Sequence, residues 1–263
     1  MKINFLTLFP NYYDAFINES IVDKAKSKGL ISFEVVDFRK FSTDKHHKVD
    51  DEIYGGGHGL LLQVEPIDKA INSLANKGGL KILVSPQGKP FTQDIANKLS
   101  TEKEITFIAG RYEGFDERVS QLVDLELSIG DYVLTGGELP SMVMADSIIR
   151  LIPGVIKEES HQFDSFQGIG LLDYPQYTRP RDYQGMQVPE VLFGGNHKDI
   201  QNWKDKAKFI TTWNKRPDII EDIIKNDLNS LKSYLKLIDD AELDKLGFDK
   251  ASLTLLKGVK YEK

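Results

Sequence analysis

Over about 150 residues the chain alternates between two hydrophobic rhythms, a period near two and a period near 3.6. Residues 2–8, KINFLTL, alternate as a strand does. From Tyr12 to Lys28 the spacing lengthens, with Phe16, Ile17, Ile21, Val22 and Ala25 at helical intervals and Gly29 as a stop. Ile31 to Val36 predicts a second strand, Arg39 to Gly59 a long polar loop, Glu65 to Asn76 a helix and Leu80 to Val84 a further strand. Thr92 is placed to cap a helix ending at Leu99. Ile105 to Ala109 reads as a strand, Phe115 to Val123 as a helix and Leu125 to Ser128 as the last strand. Strand alternating with helix predicts an α/β fold, a mostly parallel sheet with helices on both faces.

The segment from Leu139 to Ile152 is apolar on nearly every side, carrying Met142, Val143, Met144, Ile148, Ile149 and Leu151. Such a helix must be deeply buried or must pack against another subunit. Arg150 at its end complements the helix dipole. Periodicity lapses from Val155 to Gly170, and helical patterns return at Ile200 to Trp213, Pro217 to Asn226 and Leu228 to Ile238. We therefore expect a first domain over 1–157, a linker over 158–170 and a small helical domain over 171–263.

The chain has no cysteine, which excludes disulfides, thiolate metal sites and cysteine nucleophiles. MKINFLTLFPNYYD reads as a first strand rather than a signal peptide. No apolar run approaches the roughly 20 residues that span a bilayer, so a soluble, cytoplasmic protein without membrane association is expected. The net charge of −6 argues mildly against a nucleic-acid partner. Charge is unevenly placed, however: Gln176 to Arg216 holds eight Lys or Arg against four Asp or Glu.

Chemistry concentrates in three glycine-bearing turns. Ser128 to Pro140, SIGDYVLTGGELP, packs three glycines into thirteen residues, and the strand pattern predicts that SPQGK at Ser85 and GRYEG at Gly110 end neighbouring strands. Ligands in parallel sheets bind outside the carboxyl ends of the strands, so the three turns are expected to form one pocket. The chain has neither GxxxxGK[ST] nor GxGxxG after a strand, which favours an adenosyl ligand without phosphates over a polyphosphate. His46, His47, Asp50, Asp51, Glu52 and His58 are metal-ligand residue types, but their spacing does not converge on a helix face.

Taken together, GRYEGFDERV, SIGDYVLTGGELP, SPQG, YGGG-G and LLDYPQYTRP resemble the bacterial tRNA (guanine-N1-)-methyltransferases, over nearly the full length. The resemblance implies a SPOUT domain with a C-terminal trefoil knot, S-adenosyl-L-methionine as cofactor, a homodimer with active sites at the subunit boundary, and the tRNA anticodon stem-loop as partner. It places cofactor binding on Ser85, Pro86, Gly110, Tyr112, Glu113, Gly114, Ile129, Gly130, Asp131, Tyr132, Val133, Leu134, Gly136, Gly137 and Pro140. It also implies magnesium dependence, for which Glu113 and Asp173 are the available carboxylates. His58 departs from the family's usual proline, and Leu83 and Val84 stand where a tyrosine is common.

N1 of guanine carries a proton and becomes a nucleophile only when a base removes it. Charge developing on O6 then needs a cationic or hydrogen-bonding partner. The resemblance assigns the base to Asp164, in FDSF, and the O6 partner to Arg150. The alternatives are a SPOUT methyltransferase acting at another RNA position and a non-catalytic RNA-binding protein.

Overall fold

The computed structural model describes residues 1–157 and 163–261. The chain divides into two compact units, Met1–His161 and Gln162–Lys263. Residues 158–162 of the expected linker lie outside the described residues.

The first unit contains strands β1 (Lys2–Thr7), β2 (Ser32–Asp37), β3 (Asp50–Glu52), β4 (Leu60–Leu62), β5 (Leu80–Pro90), β6 (Glu104–Ala109) and β7 (Leu125–Ser128). Its helices are α1 (Asp14–Asn18), α2 (Ser20–Ser27), α3 (Val64–Ser73), α4 (Gln93–Leu99) and α5 (Glu138–Ile149). Five strands form one sheet in the order β2-β1-β6-β5-β7, and every pairing in it is parallel. Side chains alternate between faces along a strand. Ile3, Phe5, Ile82, Val84, Ile105 and Phe107 accordingly meet Val22, Ala25, Ala96, Leu99, Met144 and Ile148 on one face. Leu6, Leu83 and Ile108 meet Phe38, Ile67, Ala70, Ile71 and Val119 on the other. Burial on both faces is why these strands read as nearly continuous apolar runs.

Several elements differ from the sequence expectation. The helix over Tyr12 to Lys28 is two short helices: Glu19 is extended and Ser20 takes a φ of 58°, so helical bonding restarts with Asp23 N–H donating to Glu19 O. The polar loop over Arg39 to Gly59 contains β3, which pairs antiparallel with β4 and makes YGGGHG the connection of a small hairpin. SPQGK does not end its strand. β5 leaves the ladder after Val84 and rejoins β7 at Lys89, so Ser85 to Gly88 bulge outward from the sheet's carboxyl edge. In place of an α-helix over Phe115 to Val123 the chain forms a tighter 3₁₀ turn, Glu117–Leu122, capped by the Asp116 side chain, which accepts from Arg118 N–H. Thr92 does cap α4, its hydroxyl accepting from Ile95 N–H.

Helix α5 turns Ser141, Met144, Ala145, Ile148 and Ile149 onto the sheet. Each large aliphatic side chain so buried contributes about 1.5–3 kcal/mol. Leu139 and Val143 lie on the opposite side and are about half exposed, at 52% and 49%.

The second unit is helical around Phe209, Ile220, Leu231, Leu235, Ile238, Leu243 and Leu256, all fully buried. Helices His197–Lys215 and Pro217–Asn226 are followed by three shorter pieces and a last helix, Lys250–Tyr261. Residues 163–171 form a turn in which Phe166 N–H donates to Leu171 O and Gln167 N–H to Asp164 O. Ile169 and Leu171 pack into the same core.

Candidate active site

Because the sheet is parallel, the carboxyl ends of β1, β5, β6 and β7 share one edge. A cavity of about 460 Å³ opens there, within the size range of small-molecule sites. Its walls come from the Ser85–Gln87 bulge, the loop following β6 and the loop between β7 and α5. Of the sequence-predicted residues, Ser85, Pro86, Gly110, Tyr112, Glu113, Gly114, Ile129, Gly130, Tyr132, Val133, Leu134, Gly136, Gly137 and Pro140 line it. Asp131 does not; its side chain is exposed on the rim loop. Arg150, at the far end of α5, is not part of the lining either. Asp164 belongs to the second unit, on the turn described above.

The loops are held by backbone contact, which is why glycine recurs in them. Gly137 N–H donates to Gly110 O at 2.9 Å. A Cβ on Gly137 would stand 2.8 Å from the Ala109 Cα, so the two chains touch main chain to main chain. GRYEG is also sewn to β4: Glu113 N–H donates to Leu60 O and Leu62 N–H to Gly114 O. Between these anchors Tyr112 takes a φ of 59°, a strained left-handed conformation for a residue with a side chain.

Composition alone did not point to the polar network beneath the cavity. Glu138, the first residue of α5, is 1% exposed, and its carboxylate lies 2.9 Å from Arg111 Nε. Thr7 Oγ1, at the end of β1, donates to the other Glu138 oxygen at 2.7 Å. The Arg111 guanidinium also donates to Thr135 O at 3.1 Å and stacks over Phe9 and Tyr12. Burial disfavours its charge more than any other single influence. Tyr12 and Glu138 together outweigh that and hold its pKa above the ordinary arginine value. Only adjacency within GRYEG and GGELP hinted at this pair.

Among the charged groups of the lining carboxylates prevail: Glu113, Asp116, Glu117 and Glu126 contribute to it, against Arg111 as the one cation among the described residues. A polyanion is a poor match for such walls, and a ligand bearing positive charge is a good one. Asp116 is held below the ordinary carboxylate pKa, chiefly by the Arg118 guanidinium 2.6 Å away.

In the second unit, Trp203 packs edge-on against Tyr174 and tilted against Tyr177. Lys204 lies over the Tyr174 ring and Arg181 over Phe193. Asp173 is already engaged, accepting from Tyr174 N–H and Gln176 Nε2. Among the described residues no three His, Asp or Glu side chains converge as a metal site would require, and no helix is long and apolar enough to cross a membrane.

A family model described as tRNA (Guanine-1)-methyltransferase TrmD matches residues 1–222. The chain belongs to this family. A tRNA (guanine-N(1)-)-methyltransferase of Mycoplasmopsis agalactiae is 68% identical over 223 residues, 85% of this chain and 98% of the relative. Its counterpart in Mycoplasmopsis synoviae is 69% identical over the same length and shares. A Staphylococcus epidermidis protein of the same name is 50% identical over 241 residues, 90% of this chain and 98% of its own. The TrmD match takes in every loop that lines the cavity, together with Arg150 and Asp164.

Proposed function

We propose that this chain transfers a methyl group from S-adenosyl-L-methionine to N1 of the guanine 3′ of the anticodon in tRNA. Family membership supports the reaction, and relatives up to 69% identical carry the name tRNA (guanine-N(1)-)-methyltransferase. The observation that carries the reading to a place in the fold is the carboxylate-lined cavity where three glycine-bearing loops meet. Its backbone-built walls and acidic lining suit a phosphate-free adenosyl group bearing a cationic sulfur. When bound, that donor supplies a methyl group activated by the positive sulfur.

The chain's own residues supply the rest. Backbone groups of Ser85, Pro86, Gly110 to Gly114 and Ile129 to Gly137 hold the donor and exclude water from it. Asp164 takes the N1 proton of guanine, which frees the ring nitrogen's lone pair. Arg150 stabilises the charge that develops on O6. Bringing the two reactants into line is a positioning task worth several orders of magnitude in rate.

The same reading includes a trefoil knot, a cytoplasmic homodimer and the anticodon stem-loop as partner. The half-exposed Leu139 and Val143 on α5 are the apolar positions we assign to the subunit boundary. The aromatic and basic cluster of Tyr174, Tyr177, Trp203 and Lys204 suits RNA, offering rings for stacking and cations for phosphate. For magnesium, Glu113 and Asp173 remain the candidate ligands, and no step above is routed through a metal.

Incubation with methyl-labelled donor and unmodified tRNA, followed by nuclease digestion, tests the proposal. Label is expected in 1-methylguanosine at the nucleotide after the anticodon. Label at another base or on ribose would favour a different RNA methyltransferase, and donor binding without turnover a non-catalytic protein.

A further inference from the structure

Arg111 and Glu138 sit where three separate stretches of chain meet under the cavity. Arg111 belongs to the loop after β6, and Glu138 follows the loop after β7. Thr7 ends β1, and Phe9 and Tyr12 belong to the segment after it. Glu138 is almost completely buried, yet its carboxylate lies beside only two of these groups: the Thr7 hydroxyl at 2.7 Å and Arg111 Nε at 2.9 Å. Arg111 reaches further, to Thr135 O at 3.1 Å and to the faces of Phe9 and Tyr12 at 4.5 and 5.1 Å. Beside the main-chain bond from Gly137 N–H to Gly110 O, this charge pair joins the two loops through their side chains.

Resting on the reading of the cavity as the donor site, we propose that the Arg111–Glu138 pair is a positioning device for the donor pocket. It clamps the Thr135–Gly137 segment to the GRYEG loop, and so sets the gap into which the donor fits. Arg111 acts through Glu138 and Thr135 rather than through the methyl group. A buried carboxylate stripped of its counter-charge is strongly destabilised. Loss of Arg111 therefore drives Glu138 outward, carrying the start of α5 and the adjoining wall with it. Neutralising Glu138 removes that drive. The two residues should consequently be coupled in donor affinity, the worst state being the one that leaves the carboxylate alone.

The test is a double-mutant cycle on the full chain, with S-adenosylhomocysteine as the titrated probe and steady-state kinetics on tRNA alongside. Arg111→Met is expected to weaken the probe by about 30-fold or more, and Arg111→Met with Glu138→Gln to recover about 10-fold of that loss. The KM for donor should follow the probe, while kcat at saturating donor and the KM for tRNA stay within about threefold of wild type. Arg111→Lys, which keeps the charge but loses the planar contacts, should fall between, and serves if Arg111→Met does not fold. Losses that simply add in the double variant, or that appear in kcat and spare donor affinity, would overturn the clamp. Failure of the wild-type chain to bind the probe at all would instead overturn the assignment of the cavity.

Discussion

Gly137 and Ala109 touch main chain to main chain: a Cβ on the glycine would stand 2.8 Å from the Ala109 Cα, a separation that folded proteins do not tolerate. The φ of Gly137 is −82°, so an alanine could adopt its backbone without strain. Space alone demands the glycine. Gly137→Ala must therefore part the loops after β6 and β7, at a cost of about 1–3 kcal/mol in stability. Thermal unfolding should report a lower Tm, and calorimetry a loss of S-adenosylhomocysteine affinity. An unchanged Tm with unchanged affinity would mean that the contact is not needed.

Asp164 and the donor cavity have separable duties under the proposed mechanism. Asp164→Asn should leave S-adenosylhomocysteine affinity within about threefold, while single-turnover methyl transfer falls by about 10²-fold or more. Near-wild-type transfer would remove Asp164 from the role of base.

Acid should weaken the rim of the cavity in a predictable direction. Asp116 has a folded-state pKa below the ordinary value, with the hydrogen bond from Arg118 as the largest cause. A depressed carboxylate stabilises the fold fully above its unfolded pKa of about 3.9, and that contribution disappears as pH falls through the lower folded value. Arg118→Gln should therefore lower the urea midpoint slightly at about pH 6, and the difference should close by about pH 2.5. A gap that stays constant over this range would assign the arginine's effect to packing instead.

Helix α5 offers a test of assembly. Its inward face is filled by Met144, Ala145 and Ile148, and its outward face leaves Leu139 and Val143 half exposed. If that face forms the subunit boundary, Val143→Arg should yield a monomer by light scattering. Because the sheet-facing core is untouched, the far-ultraviolet circular dichroism should be preserved. A dimer of wild-type stability would place the boundary elsewhere.

Much of this arrangement can be read from the chain because parallel strands buried on both faces leave dense apolar runs, as Ile105 to Ala109 does. Glycine turns at their ends were legible for the same reason. The continuation of β5 through SPQGK was not, since a polar bulge holding Pro86 and Gly88 hides a strand that later rejoins its neighbour. The 3₁₀ turn after Asp116 shares its spacing with a helix start over so few residues that periodicity cannot separate them. Thr7, Arg111 and Glu138 lie far apart in sequence, and each looks ordinary until the sheet's parallel order brings the three loops together. Asp131, grouped with the cofactor loop by its neighbours, is exposed and stands outside a lining that both of those neighbours join, which a loop without a period does not disclose in sequence. The roles given to Asp164 and Arg150 rest on family resemblance, as no local pattern in FDSF or at the end of α5 requires them.

The most direct measurement is a crystal structure of the chain grown with S-adenosylhomocysteine. The account predicts the ligand in the cavity enclosed by Ser85–Gln87, the GRYEG loop and the Ile129–Gly137 loop, with the backbone of those segments around its adenosyl group. Ligand bound at any other place on the molecule, with this cavity empty, would contradict it.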